Sequence, residues 1–419
     1  MMKIICSSVD ELPTSLPPHA RAFTFLASSS QPEVGRIAHG WAKKLEKAGY
    51  APSVPVWDFV LFCFAVYAAD IAVLRKESED GWTRQIELEI TLNDPSPWER
   101  NRKIAENMLR VLTGDFWELR FREGGPTPPR GQRRLCDRDC VALLSGGLDS
   151  LVGGIDIVAS GRRPIFVSQL AFEDSARQVS YARALGGGDW HQQWSHRVVF
   201  KGKKETSTRA RSMAFYGLAV LATSLLSSTQ PEVLVPENGF ISLNPPLLPG
   251  RMSSLSTRTT HPLFMRMLQE LLKGLDIEAR LHMPYRFKTK GEMLRECSDQ
   301  AALERYACDS TSCGRFRTYN RMHCGRCVPC MVRKAAIHHW GLADTTKYKF
   351  SSLSSSGKTS ADDPMAVACA VLSAEQSGID YFLGATLSFA PLDDRQKYRR
   401  VIEEGLRELA VLLRKDGVI

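Results

Sequence analysis

The feature that most constrains this chain is a short apolar run that passes directly into a glycine pair. Cys140–Leu144 (CVALL) is followed without a break by Ser145-Gly146-Gly147-Leu148-Asp149-Ser150, and then by the periodic stretch Leu151–Ala159. The first segment predicts a buried strand and the last a helix. Adjacent glycines permit a tight turn between them and leave backbone N–H groups pointing into the bend. A helix starting at Asp149 or Ser150 adds the positive end of its dipole. Such a corner suits an anion, and Ser145 and Ser150 supply hydroxyl donors for phosphate oxygens. Asp149 would repel phosphate; its chemistry fits a Mg²⁺ that bridges phosphates. The lysine of the GxxxxGK[ST] loop is missing, which argues against γ-phosphate transfer.

Around this corner, strands are expected at Ile165–Leu170, Arg197–Phe200 and Glu232–Val235, with helices at Ser175–Leu185 and Thr208–Ser224. The alternation implies βαβ units, an α/β fold and a parallel sheet with helices on both faces. In such sheets ligands bind at the carboxyl ends of the strands. Upstream, Gly124–Gly131 is rich in Gly and Pro, and with Arg130, Arg133 and Arg134 it predicts a solvated linker over 124–138. Ahead of it, Gln85–Leu92 reads as a half-buried strand, Val54–Leu74 as a buried helix and Pro97–Leu112 as an amphipathic helix ending near Gly114. These predict a small N-terminal α+β domain, 1–123, for packing or partner contact. Met365–Leu372 and Arg395–Leu413 predict helices in a C-terminal region, 342–419.

The 419 residues, 43% apolar and 24% charged, match a soluble globular protein of one large or two ordinary domains. Asp58 and Asp70 interrupt Val54–Leu74, so it reads as a core helix and no membrane partner is expected. Met1–Asp10 lacks the layout of a signal peptide, which points to a cytoplasmic location. The net charge of +9 favours acidic partners such as nucleotides; nucleic acid is possible but not favoured. Cys308, Cys313, Cys324, Cys327 and Cys330 crowd one window, and in a reducing compartment this points to metal before disulfides. Cys324, Cys327 and Cys330 form CxxCxxC, with Cys308 or Cys313 as the fourth ligand of a closed structural zinc site. A ferredoxin-type cluster would need a further Cys before Pro, which does not follow Cys330. Cys6, Cys63, Cys297 and Cys369 read as small buried hydrophobes, and Cys136 and Cys140 as structural.

SGGLDS resembles the SGGxDS signature of the PP-loop ATP pyrophosphatases. CGRCVPCMVRKAA resembles the ending of the 7-cyano-7-deazaguanine synthase (QueC-like) family. Most of the chain, including WDFVLFCFAVYAAD and GWTRQIEL, is similar to the longer QueC-like components of Qat anti-phage defence systems. The resemblance implies a HUP-like (adenine nucleotide alpha hydrolase) domain over 139–300 and a zinc knuckle over 301–341, with Cys308 joining Cys324, Cys327 and Cys330. It implies ATP, Mg²⁺ and Zn²⁺. ATP would lie on Ser145, Gly146, Gly147, Leu148, Asp149 and Ser150, with its adenosine near Ser168. Arg211, beside Arg209 at a helix start, would clamp phosphate. Glu237, at a strand end, would bond to a purine-like ring edge or to the Mg²⁺, and Asn238 would read a carbonyl.

Lys290, in Pro284–Met293, would stabilise departing pyrophosphate, and Thr289 also looks like a helix cap with Glu292 three residues on. The implied reaction adenylates 7-carboxy-7-deazaguanine and forms an amide with an amine. Ammonia would lead on to the nitrile, whereas the defence-system likeness suggests the N-terminus of a partner protein. Modification of tRNA is a further alternative, but it needs a reactive Cys near the loop. The chain departs from QueC in its front 138 residues, in its tail after Gly341, and at Ser212, where QueC has Asn. His338-His339 are expected to pack or solvate.

Overall fold

The computed structural model describes residues 1–132, 136–170, 174–248, 258–354 and 363–419. Arg133 and Arg134 of the expected linker lie outside the described residues. The chain begins with β1 (Met2–Ser7), β2 (Ala20–Phe25) and β3 (Gly35–Ile37). Next come α1 (Trp41–Lys47), α2 (Val54–Ala72), β4 (Gln85–Leu92), α3 (Ser96–Thr113) and β5 (Phe116–Glu123). These five strands pair in the order β5-β4-β1-β2-β3, all parallel. The expectation of an α+β domain is therefore corrected to α/β. The chain reaches β4 through α1 and α2, and β5 through α3, and helical crossovers of this kind give parallel pairs.

A second sheet follows. Its elements are β6 (Cys140–Leu143), α4 (Leu148–Ala159), β7 (Pro164–Gln169), α5 (Ser175–Ala184) and β8 (His191–Trp194). After them come β9 (Val198–Val199), α6 (Arg211–Thr223), β10 (Glu232–Leu234), α7 (Gly239–Leu243), α8 (Pro262–Gly274) and β11 (Arg280–His282). The order is β11-β10-β6-β7-β8, again all parallel. Strand order reverses between β6 and β10, which opens a crevice at the carboxyl ends of those strands. The expected strand at Arg197–Phe200 does not belong here. Its core, β9, pairs antiparallel with β3 at the edge of the first sheet, where Phe200 meets Phe23 edge-on at 5.5 Å.

The five parallel strands of each sheet have one order: the first strand is central, the next two lie on one side and the last two on the other. The helices that lead to equivalent strands meet, α2 against α6 and α3 against α8. One apolar core runs through both sheets, so residues 1–123 do not stand apart. Backbones approach closely there: a Cβ on Gly217 of α6 would lie 2.9 Å from Cys63 Cβ of α2. Among the described residues α2 alone is long and apolar enough to cross a bilayer, and most of it is buried in this core. The segment after β5 is strapped to the first sheet, with Gly125 N donating to Leu92 O at 3.0 Å and Trp57 Nε1 to Pro126 O at 2.7 Å. Arg130 alone of its described arginines points to solvent as expected.

The chain closes with α9 (Lys290–Arg295), α10 (Gln300–Tyr306), α11 (Val328–Trp340), α12 (Asp363–Ser377), α13 (Ile379–Leu383) and α14 (Leu392–Lys415). Helices α7, α11, α12 and α14 build a separate apolar cluster around Met331, Val367, Val401 and Leu413. Both expected C-terminal helices fall within α12 and α14. Cys369 is exposed on α12, against the expectation of a buried residue.

Candidate functional site

The turn from β6 into α4 is as tight as its glycines allow. Gly146 has φ +89°, a conformation that side-chain-bearing residues rarely adopt, and a Cβ there would meet Asp174 Cβ at 3.0 Å. Ser145 and Ser150 close the turn between them. The Ser145 hydroxyl donates to Ser150 Oγ at 3.1 Å and accepts from Gly147 N at 3.2 Å, while Ser150 Oγ donates to Gly147 O at 2.9 Å. Helix α4 starts at Leu148, slightly earlier than expected, on Gly147, which has no side chain to cap it. The first-turn amides of α4 are left for another acceptor.

This turn forms the floor of a cavity of about 1090 Å³ at the reversal between β6 and β10. Ser145, Gly147, Leu148, Asp149, Ser150, Arg209, Arg211, Glu237 and Lys290 all line it. Residues up to 145 positions apart in sequence thus converge at one place.

Asp149 is the hub. Lys290 at the start of α9 pairs with one carboxylate oxygen. Asn238 holds the other, through its Nδ2 at 2.7 Å and its backbone N at 3.1 Å. Burial raises the Asp149 carboxyl, but the Lys290 charge and the bonds from Glu237, Lys290 and Asn238 together hold it below the ordinary carboxylate range. Glu237 moves the other way: burial and the neighbouring Asp149 charge push it well above that range. One carboxyl is thus kept charged and the other keeps its proton. Asn238 departs from the expected role of carbonyl reader. It is wholly buried, and its Oδ1 accepts from Ile241 N at 3.0 Å as the cap of α7, so both ends of its amide serve the protein.

The arginines are held by the first sheet's helix. Asp70 of α2 accepts from Arg209 N and Ala210 N, both at 2.7 Å, just before the start of α6. Asp70 is itself paired with Arg84 at 2.6 Å in a buried network that includes Asp115 and Arg75. The Arg209 guanidinium lies 5.0 Å over the Trp82 ring, and burial followed by the Arg75 charge lowers it to about 10. Arg211 Nε donates to Gln169 Oε1 at 3.1 Å, and Gln169 Nε2 contacts the His196 ring, packed against Phe64 and Tyr67 of α2. Burial, and then the Arg211 charge, lower His196 to about 3, so it stays neutral.

Ser168 does not line the cavity. It is fully buried, donates to Leu144 O and contacts His191 Nε2 at 2.8 Å, so the expected place beside adenosine is corrected to a bond between strands. Gln169, Phe215, Tyr216, Thr260 and Thr311 line the cavity without having been singled out from the sequence. Gln169 was within reach: it ends the second strand of the sheet, where βαβ proteins place ligand contacts.

Four cysteines gather at the cavity's rim. The Sγ atoms of Cys313, Cys324, Cys327 and Cys330 all lie within 4.8 Å of one another. Cys313 Sγ is 3.9 Å from Cys327 Sγ, and Cys324 Sγ is 3.8 Å from Cys330 Sγ. A tetrahedron with Zn–S bonds of about 2.3 Å has edges of about 3.8 Å, so the cage fits zinc. Backbone amides serve the sulfurs: Arg315 N and Cys324 N donate to Cys313, and Arg326 N and Cys327 N to Cys324. This corrects the expected fourth ligand from Cys308 to Cys313. Cys308 sits in the tight turn that closes α10, and the buried Arg333 guanidinium ties that turn down through Ala307 O at 2.7 Å and Ser310 Oγ at 2.8 Å. The chain then runs onto the glycine turn, where Thr311 N donates to Gly146 O at 3.1 Å, and Cys313 reaches the cage. Cys327 lines the cavity as well, so cage and glycine turn share a wall.

Comparisons of the chain with models of protein families, with curated proteins and with solved structures give no match.

Proposed function

We propose that this chain is an ATP-dependent ligase that adenylates the carboxylate of a 7-deazaguanine and passes the acyl group to an amine. The observation that carries the reading is the convergence of the uncapped Ser145–Ser150 turn, the Asp149–Lys290 pair and Arg209 and Arg211 on one cavity where strand order reverses. Free helix amides favour a diphosphate on that floor. Arg209, Arg211 and Lys290 are cations that line the same cavity and can meet its charge.

The carboxylate oxygen of the acid, 7-carboxy-7-deazaguanine, attacks the α-phosphorus of ATP. A new O–P bond forms, the α–β bridging bond breaks, and pyrophosphate leaves with the electron pair. Lys290 and the first turn of α4 stabilise the charge that builds on the leaving group. The amine nitrogen then attacks the acyl carbon, expels AMP and gives up a proton. Phe215, Tyr216 and Ile241 supply the apolar wall for a flat ring, and protonated Glu237 a polar contact at its edge. Asp149 offers a hard, charged oxygen donor of the kind a Mg²⁺ accompanying ATP would need, and the ion would neutralise phosphate charge. The four-cysteine cage offers no open position and would hold zinc in a structural role.

The amine is the N-terminus of a partner protein from the same defence system, a reading that rests on the likeness to Qat components. Exchange of labelled pyrophosphate into ATP, measured with a panel of 7-deazaguanines, tests the first half; exchange is expected with the 7-carboxy compound, and its absence with every acid overturns the reading. Intact mass of the partner after incubation with enzyme, ATP and the acid tests the second half. An unchanged partner beside a nitrile product would assign the chain the ammonia-using reaction instead.

A further inference from the structure

The C-terminal helix α14 has no part in the reaction as read so far, yet it reaches the lysine. Glu408, on its inner face, is only 8% exposed. Thr289 Oγ1 donates to the Glu408 carboxyl, and Gly291 N bonds to the same group. These are the two residues that flank Lys290. Gly291 leaves no slack, since a Cβ there would stand 2.4 Å from Glu408 Oε1. About two turns nearer the helix start, Arg400 bonds to Phe287 O at 2.6 Å and pairs with Glu292. Glu292 in turn closes the capping box of α9 with Thr289. Phe287, Thr289, Gly291 and Glu292, on either side of Lys290, are therefore held by a helix that begins about a hundred residues later in the chain.

A bond of this kind acts on direction. Helix α9 has six residues and cannot hold its own axis without support. The Lys290 side chain must cross from that short helix to Asp149 on α4, which it does in a buried pair. A small tilt of the α9 start would carry the ammonium away from the pair and from the cavity.

We infer that Glu408 is the positioning residue for Lys290, gripping the residues on either side of it so that the ammonium stays aimed at Asp149 and the cavity. The role assigned to the ammonium rests on the adenylation reading; the grip itself does not.

Reductive methylation with formaldehyde and borohydride, followed lysine by lysine through peptide mass spectrometry on the full chain, tests the grip without any nucleotide. In wild type Lys290 should label slowly, being buried and paired. In Glu408→Ala it should label at least about fivefold faster while exposed Lys204 keeps its rate, because only the local opening of α9 changes. Glu408→Gln retains an acceptor for both bonds and should restore slow labelling. If every lysine labels faster in Glu408→Ala, that chain has unfolded, and Thr289→Val, which keeps the shape and removes the hydroxyl, decides in its place. An unchanged Lys290 rate in whichever folded variant is read overturns the inference. In the exchange assay the same variant should lower kcat and leave the KM for ATP in place. A wild-type chain with no exchange would defeat the adenylation reading alone, and the labelling would still judge the grip.

Discussion

The molecule contains two sheets whose five parallel strands follow one order, and they treat the same opportunity in opposite ways. In each, the order reverses beside the central strand, and backbone amides are presented at the carboxyl edge. In the first sheet the protein answers those amides itself. Asp58 of α2, buried by 99%, accepts from Asn93 N and Asp94 N at 3.0 and 2.9 Å, and from Asn93 Nδ2 at 2.7 Å, just beyond β4. In the second sheet, among the described residues, no carboxylate accepts from the amides of the glycine turn: Asp149 is turned toward Lys290 and Asn238, and Asp174 packs against Gly146. A resident anion closes one edge; the other is kept for an anion that comes and goes. The difference shows that strand order makes a crevice available, and that the presence or absence of a built-in carboxylate decides whether it stays one.

This contrast can be attacked at several points. The largest effect should come from the cage that walls the open edge. Cys313→Ser should cut bound zinc from about one per chain to near none, lower the melting temperature and abolish nucleotide binding, whereas Cys308→Ser should leave all three as they are. Metal analysis with differential scanning fluorimetry reads both, and equal losses in the two variants would break the assignment. Next, Lys290→Ala should slow pyrophosphate exchange by roughly 10²–10³-fold, the size expected for one lost electrostatic contact to a leaving group. At the closed edge, Asp58→Ala should cost about 1–3 kcal/mol in urea unfolding, because it strands buried donors. It should leave exchange untouched; a change in exchange would mean that the two edges are not independent.

The smallest effect concerns Glu408. Burial raises its carboxyl from the ordinary 4.5 to about 7, and the nearby charges of Glu292 and Glu404 add to this against the opposing bond from Thr289. The folded state thus holds a proton that the unfolded chain releases, and stability present below 4.5 is lost as pH rises through about 7. Glu408→Gln should flatten the urea midpoint across that window. A wild-type midpoint that is already flat there would remove the argument.

Short-range signals were legible in the sequence. The strand, glycine turn and helix at Cys140–Ala159 appear in the structure within a few residues of their expected bounds, because glycine and apolar periodicity act locally. The parallel character of the front half was not legible, since β3 has only three residues and strand pairing is a long-range property. Strand β8 (HQQW) also escaped, as it has no apolar run and is held in part by Gln193 side-chain bonds. The fourth cysteine did leave a local trace. Cys313-Gly314-Arg315 repeats Cys324-Gly325-Arg326, and in both the arginine amide donates to the sulfur two residues back. Asp70 and Glu408 left none, for their bonds to Arg209 and Thr289 span 139 and 119 residues.

The pairing of α2 with α6 and of α3 with α8 resembles the contact of a symmetric dimer, in which equivalent surfaces meet. Here both halves belong to one polypeptide. Their association is intramolecular, so it does not weaken on dilution as that of two separate subunits would. Asp70 therefore stays at the start of α6, and Arg209 and Arg211 stay at the cavity wall, however scarce the protein is. The stoichiometry is fixed as well: each such pair carries a single open edge.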